Sequence, residues 1–188
     1  MDIVNTQQRQ KIHPHKFAMW VAIASLVMMF AGLTSAFIVK SNQPGWKDVT
    51  VPDVFWVSTG VILLSSIAVQ MALRSFKQRE LSKYRILIAV TFLLGIAFVF
   101  LQWKGFTGLW EQGIRLKGSG AGQFLYVIFG LHAVHVIGGV LALLVMFIKA
   151  FFGKTKVYGG TGIEVMATYW HFVDVLWIYL FVFFILIK

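Results

Sequence analysis

The stretch TYWHFVDVLWIYLFVFFILIK, Thr168 to Lys188, decides which solvent this chain folds in. It belongs to an apolar run, Val165–Ile187, whose only Asp, Glu, Lys or Arg is Asp174. At a rise of about 1.5 Å per residue, such a run crosses a hydrocarbon core about 30 Å thick. No water reaches the backbone there, so each N–H and C=O must be bonded internally, which a helix achieves within one segment. The strict alternation over about 10 residues that marks a membrane β-barrel strand is missing.

The same reading extends upstream. Phe17–Val39, Val54–Leu73, Ile86–Trp103 and Gln123–Ile148 contain no Asp, Glu, Lys or Arg. Of 188 residues, 59% are hydrophobic and 13% charged, and the mean hydropathy is +0.79. A soluble domain needs a more polar skin. The expected fold is all-α: an integral membrane bundle of five transmembrane helices, forming a single transmembrane domain over 1–188. The chain has no cysteine, which excludes disulfides, thiolate zinc sites and iron–sulfur clusters. The first run is too long for a signal-peptide core. No small-residue cleavage site follows it before Lys40, so it is expected to stay in the mature protein.

The net charge of +10 raises the question of nucleic acid. Its distribution answers for the membrane instead. Residues 1–16, 74–85 and 149–164 fall on one side of the bundle and hold eleven Lys and Arg; the other side holds six. Basic loops stay inside, which predicts a cytoplasmic N-terminus and a periplasmic C-terminus. Such loops also attract anionic lipid head groups. Between the runs, Pro44-Gly45 and Pro52 mark turns, and Trp46 and Trp56 suit an interfacial belt. A short surface helix is expected around Leu109–Leu116. Gly32, Ser35 and Ala36, and the pair Gly138 and Ala142 with Gly139 beside it, are expected to let helices approach closely.

Ionisable groups at membrane depth are costly and usually face protein or a water cavity. This chain has His132, His135, His171 and Asp174. His171 and Asp174 are three apart and share a helix face, flanked by Trp170 and Trp177. Imidazole and indole N–H groups can donate to a carboxylate, so a locally satisfied polar patch walled by rings is expected. A further pairing would bring His135 to Asp174 across a helix interface, against a depth difference of about 5–10 Å. Two b-type hemes would need four axial histidines on facing helices; the fourth run offers two and the fifth one. The pair H-x-x-H alone does not make a metal site. No broken helices or repeated halves point to a transporter, and no nucleophile–base arrangement is legible. Ser58-Thr59 and Ser65-Ser66 read as helix-packing hydroxyls.

Several of these segments together resemble a known family, subunit III of the heme-copper terminal oxidases. YWHFVDVLW (169–177) is similar to its last-helix signature almost residue for residue. GLHAVHVIGG (130–139) resembles the preceding helix, with two histidines three apart before a small-residue pair. Glu164 in GIEVMATYWHF matches a glutamate just before the last helix. FAGLTSAF (30–37), FLQ (100–102) and the Val-Pro at 51–52 follow in order, so the resemblance covers nearly the whole chain.

The resemblance implies a non-redox subunit of a bacterial cytochrome c oxidase, which reduces oxygen to water with proton translocation, in the bacterial inner membrane. Such a subunit packs on catalytic subunit I and other subunits, holds phospholipid in a cleft, supports proton uptake and protects the enzyme during turnover. It binds no cofactor except lipid; the hemes and copper belong to partner subunits, and a respiratory supercomplex is a further setting. On this reading Glu164, Trp170, His171, Asp174 and Trp177 form a polar anchor, with His132 and His135 second. The chain departs from the family's pattern too. It has five helices where many members have seven. Leu26 stands where many carry a buried glutamate, a histidine pair of the family falls near Leu73 and Arg74, and another glutamate falls near Gly105. A quinol oxidase subunit III, an accessory subunit of a nitric oxide reductase and a stand-alone proton-coupled transporter are the alternatives.

Overall fold

A computed structural model describes residues 14–41, 52–111, 120–152 and 160–187. Five helices account for nearly all of them: α1 (Pro14–Ser41), α2 (Val54–Lys77), α3 (Leu81–Glu111), α4 (Gly120–Phe152) and α5 (Gly160–Leu186). Each is long and apolar enough to cross a membrane. All five outlast the apolar runs that predict them, because a helix goes on satisfying its backbone after the side chains turn polar. Leu109–Glu111 finishes α3; residues 112–116 of the expected surface helix lie outside the described residues. So do Pro44, Gly45 and Trp46.

Local chemistry sets the helix ends. Pro14 is the first described residue of α1, a position where its missing N–H is no loss. The α2–α3 connection is a tight reversal. The N–H of Glu80 donates to the Ser75 carbonyl at 3.0 Å and that of Arg79 to Phe76 at 3.1 Å. Both bonds cap α2 in a Schellman pattern, with Arg79 in the left-handed region at φ 61°. Glycine is the usual residue there. Lys83 pairs with Glu80 at 3.0 Å in the first turn of α3.

α2, α3, α4 and α5 form a closed up-and-down ring, each packed against the next and α5 returning to α2. α1 stands outside it, on α4 and α5, and no Cα of α1 lies within 8 Å of one in α2 or α3. α4 and α5 are therefore the shared elements, and α5 carries more buried residues than any other helix. An aromatic cluster fills the ring towards the α5 C-terminus. Phe129 stacks on Phe55 with centroids 5.6 Å apart, and Phe55 and Phe98 both meet Trp177.

Glycines admit these rings. A Cβ on Gly139 would lie 2.9 Å from the Trp170 ring, and one on Gly95 3.1 Å from it. The small-residue expectation needs two corrections. Gly32 and Ser35 are exposed, and a Cβ on Gly32 would meet nothing within 4 Å. Gly138 has only the Tyr169 hydroxyl nearby, at 3.8 Å from a built Cβ. Gly139 makes the close approach.

Candidate functional site

The polar side chains of α5 reach across to α2, one turn after another. Trp170 and Trp177 are fully buried, and an indole N–H at that depth needs an acceptor. Trp170 Nε1 donates to Ser65 Oγ at 3.0 Å, and Trp177 Nε1 donates to Thr59 Oγ1 at 3.0 Å. His171 lies between them in sequence and is half-buried. Its Nδ1 is 2.6 Å from Ser66 Oγ and its Nε2 is 3.2 Å from Gln70 Oε1. On the next interface, Gln102 of α3 donates to Ser58 Oγ at 3.1 Å. The two hydroxyl pairs of α2, Ser58-Thr59 and Ser65-Ser66, thus all serve helix-to-helix contacts.

Asp174 is a different case. It is 2% exposed, and neither carboxyl oxygen has a hydrogen-bond partner among the described residues. The expected donors all point elsewhere: His171 to Ser66 and Gln70, and both indoles to α2 hydroxyls. The self-contained patch is therefore not formed. Spacing put these groups on one helix, but each donor found a nearer acceptor on the neighbouring helix. Ser66 on α2 pairs with His171 Nδ1 at 2.6 Å. At about 1.5 Å per residue, Asp174 sits about 15 Å beyond Glu164, near the middle of a core about 30 Å thick.

The α4 histidines also separate. His135 Nδ1 lies 2.7 Å from the Leu131 carbonyl, and its own carbonyl accepts from the Tyr169 hydroxyl at 2.9 Å. It does not reach Asp174, so the cross-helix pairing is absent. His132 is 2% exposed and both its nitrogens lack a partner among the described residues. Its ring stacks on Trp177 at 5.4 Å and meets the edge of Phe30 at 6.5 Å. It also borders an apolar cavity of about 240 Å³ between α3 and α4. Among the described residues no three His, Asp or Glu side chains converge to hold a metal ion.

Glu164 ties three helices together at the basic end of the bundle. Lys16 Nζ of α1 lies 2.6 Å from its Oε2, and Lys77 Nζ of α2 lies 2.9 Å from its Oε1. The sequence singled out Glu164 but not these two partners; a basic residue at the near end of each flanking helix was the available signal. Beside this clamp, a groove of about 510 Å³ runs along α1, α4 and α5. Gly138 and Ala142 line its deeper part and Lys149 its mouth. From Gly138 to Lys149 is about 16 Å along the helix, the depth of about one bilayer leaflet.

Comparison with known sequences places this architecture. The family described as cytochrome c oxidase subunit III matches residues 9–187. A cytochrome c oxidase subunit 3 of Corynebacterium diphtheriae is 31% identical over 170 residues, covering 86% of this chain and 82% of that one. A probable cytochrome c oxidase subunit 3 of Mycobacterium leprae is 30% identical over 165 residues, with the same coverage of 86% and 82%. The cytochrome c oxidase subunit 3 of Bacillus subtilis is 25% identical over 169 residues, covering 86% and 81%. With a match that runs through all five helices and both histidine-bearing motifs, this chain belongs to the cytochrome c oxidase subunit III family.

Proposed function

We propose that this chain is the lipid-holding, non-redox subunit of a bacterial aerobic terminal oxidase. It is a multi-pass membrane protein of an oxidoreductase complex and associates with other oxidase subunits. Catalytic subunit I is the partner this reading assigns to it, in the bacterial inner membrane with the basic end cytoplasmic. Hemes and copper supply electron transfer and oxygen reduction from the partner subunits. This reading assigns no redox step to the chain itself; among the described residues no three His, Asp or Glu side chains converge on a metal site. This chain's part is to shape the flank of the catalytic subunit, retain phospholipid there, and support proton uptake and turnover stability.

The observation that carries the reading is the family match along residues 9–187. The groove between Gly138 and Lys149 supports the lipid role: its apolar wall has the depth of one leaflet and a cation stands at its mouth. Asp174 supports a role in the assembly. Its carboxyl has no partner among the described residues, so replacing it with an apolar residue of similar size costs the isolated bundle little. Asp174→Leu should therefore leave the chain folded and loosen assembly or lipid retention before it alters heme spectra. Purification of the tagged chain, with optical spectra of the co-purifying subunits and lipid analysis, tests both points. A variant complex with full subunit content, full lipid and sustained turnover would sink the role assigned to Asp174. Absence of any heme-bearing partner from the wild-type preparation would sink the oxidase reading.

A further inference from the structure

At the basic end, α1 and α2 both border α5, with no Cα of one within 8 Å of a Cα of the other. The space between them is a cup of about 380 Å³, lined by Lys16, Trp20, Leu73, Lys77, Glu164 and Thr168 among others. Its rim sets two ammonium groups against one carboxylate. Each carboxylate oxygen holds one lysine, at 2.6 and 2.9 Å. An ammonium has three donors, so each lysine keeps two beyond its bond to Glu164. The lysine side chains are 41% and 59% exposed, so these donors are open to a further acceptor. The rim carries a net positive charge that Glu164 alone does not cancel.

One turn deeper the wall changes character. Met19 and Leu73, one turn in from Lys16 and Lys77, are apolar, the Thr168 hydroxyl there is taken up by the Glu164 carbonyl at 2.8 Å, and Trp20, 62% exposed, stands beside them. A tryptophan in that position suits the boundary between head groups and acyl chains. A free inorganic anion would satisfy the rim and leave the apolar wall bare. An anion joined to an apolar tail satisfies both.

We propose that this cup binds the head-group phosphate of one anionic phospholipid. The phosphate bridges Lys16 and Lys77 beside Glu164, and the acyl chains descend between α1 and α2. The cup is bounded by α2 where the groove that reaches Lys149 is bounded by α4, and Met19 and Val165 border both. The inference deepens the lipid-holding reading and rests on it for the membrane setting alone.

The test counts bound phosphatidylglycerol by native mass spectrometry of the intact complex in mild detergent. Lys16→Gln/Lys77→Gln should lose one phosphatidylglycerol, with at least a tenfold lower occupancy, while Lys149→Gln keeps that lipid. Lys77→Gln alone should weaken retention and Lys77→Arg should restore it, which serves where the double variant does not assemble. Delipidated wild-type complex offered equal phosphatidylglycerol and phosphatidylcholine should rebind the anionic lipid first. Unchanged phosphatidylglycerol in the lysine variants, or equal rebinding of the two lipids, overturns the proposal. So does loss of a protein subunit without loss of lipid, which would mean that the lysines hold an acidic segment of a partner. Failure to recover heme-bearing subunits strikes the oxidase reading only, because lipid is still counted on the chain recovered.

Discussion

α5 meets its neighbours along two seams built differently. Towards α2, both tryptophans and a histidine cross the interface to hydroxyls and an amide, while Trp170 also fits a slot left by Gly95 of α3 and Gly139 of α4. Towards α1, the polar contacts seen among the described residues stand far apart. Lys16 meets Glu164 at one end, and Thr34 Oγ1 lies 2.8 Å from the Tyr179 hydroxyl towards the other. Rings fill in near that second contact, with Phe37 against Phe183 and Phe184. The difference has a physical cause. Lipid gives helices little hydrophobic reason to associate, so close fit and hydrogen bonds decide how firmly each is held. α2 is held along its length and α1 is pinned near its ends.

The largest test of that contrast is Trp177→Ala. It removes a fully buried indole that touches rings from α2, α3 and α4, and should cost about 3–5 kcal/mol. Unfolding in mixed micelles titrated with a denaturing detergent measures it; a loss under about 1 kcal/mol would show that the ring core is not close-packed. Next comes a matched pair of glycines. Gly139→Leu forces side-chain atoms into Trp170 and should cost about 1–3 kcal/mol. Gly32→Leu, where a Cβ meets nothing, should stay within about 0.5 kcal/mol. Equal shifts in melting temperature for the two would show that the Trp170 slot between Gly95 and Gly139 is not close-packed.

Smaller effects separate the hydrogen bonds. Ser65→Ala leaves a buried indole N–H without its acceptor and should cost about 1 kcal/mol. Thr34→Val removes a part-buried contact on the α1 side and should cost about 0.6 kcal/mol. A double-mutant cycle of each with Trp170→Phe and Tyr179→Phe isolates the couplings, and the Ser65–Trp170 coupling should be the greater. Glu164→Gln should give the smallest change at ordinary ionic strength, because its partners are half exposed and screened by salt. Its signature is a slope. Rising salt weakens the wild-type clamp, whereas in the variant two unopposed lysines repel and salt relieves them. Melting curves across a salt series read that difference, and parallel slopes would remove the clamp from the account.

Much of this was legible in the residues. Five apolar runs without barrel-type alternation required five helices, because each segment must then satisfy its own backbone in hydrocarbon. The two motifs around His132–His135 and Trp170–Trp177 carried the family. The candidate site was legible only as a set of residue types. Three-residue spacing places His171 beside Asp174 on one face, yet their side chains part company. The nearest acceptors, Ser66 and Gln70, lie on α2, about a hundred positions away in sequence. The small-residue motifs were similarly incomplete: Gly139 carries a contact that Gly32 does not, and nothing local to either glycine distinguishes them.

What the sequence determined by itself is the solvent, the helices and the kinship, since each follows from local composition, periodicity or motif. What only the tertiary structure decided is partnership. It set which hydroxyl takes each indole proton, which lysines share Glu164, and that Asp174 and His132 have no hydrogen-bond partner among the described residues. A hydrogen bond needs atoms within about 3 Å of each other. That condition is met or missed by how helices dock, and a linear sequence fixes which groups need partners without fixing which ones they meet.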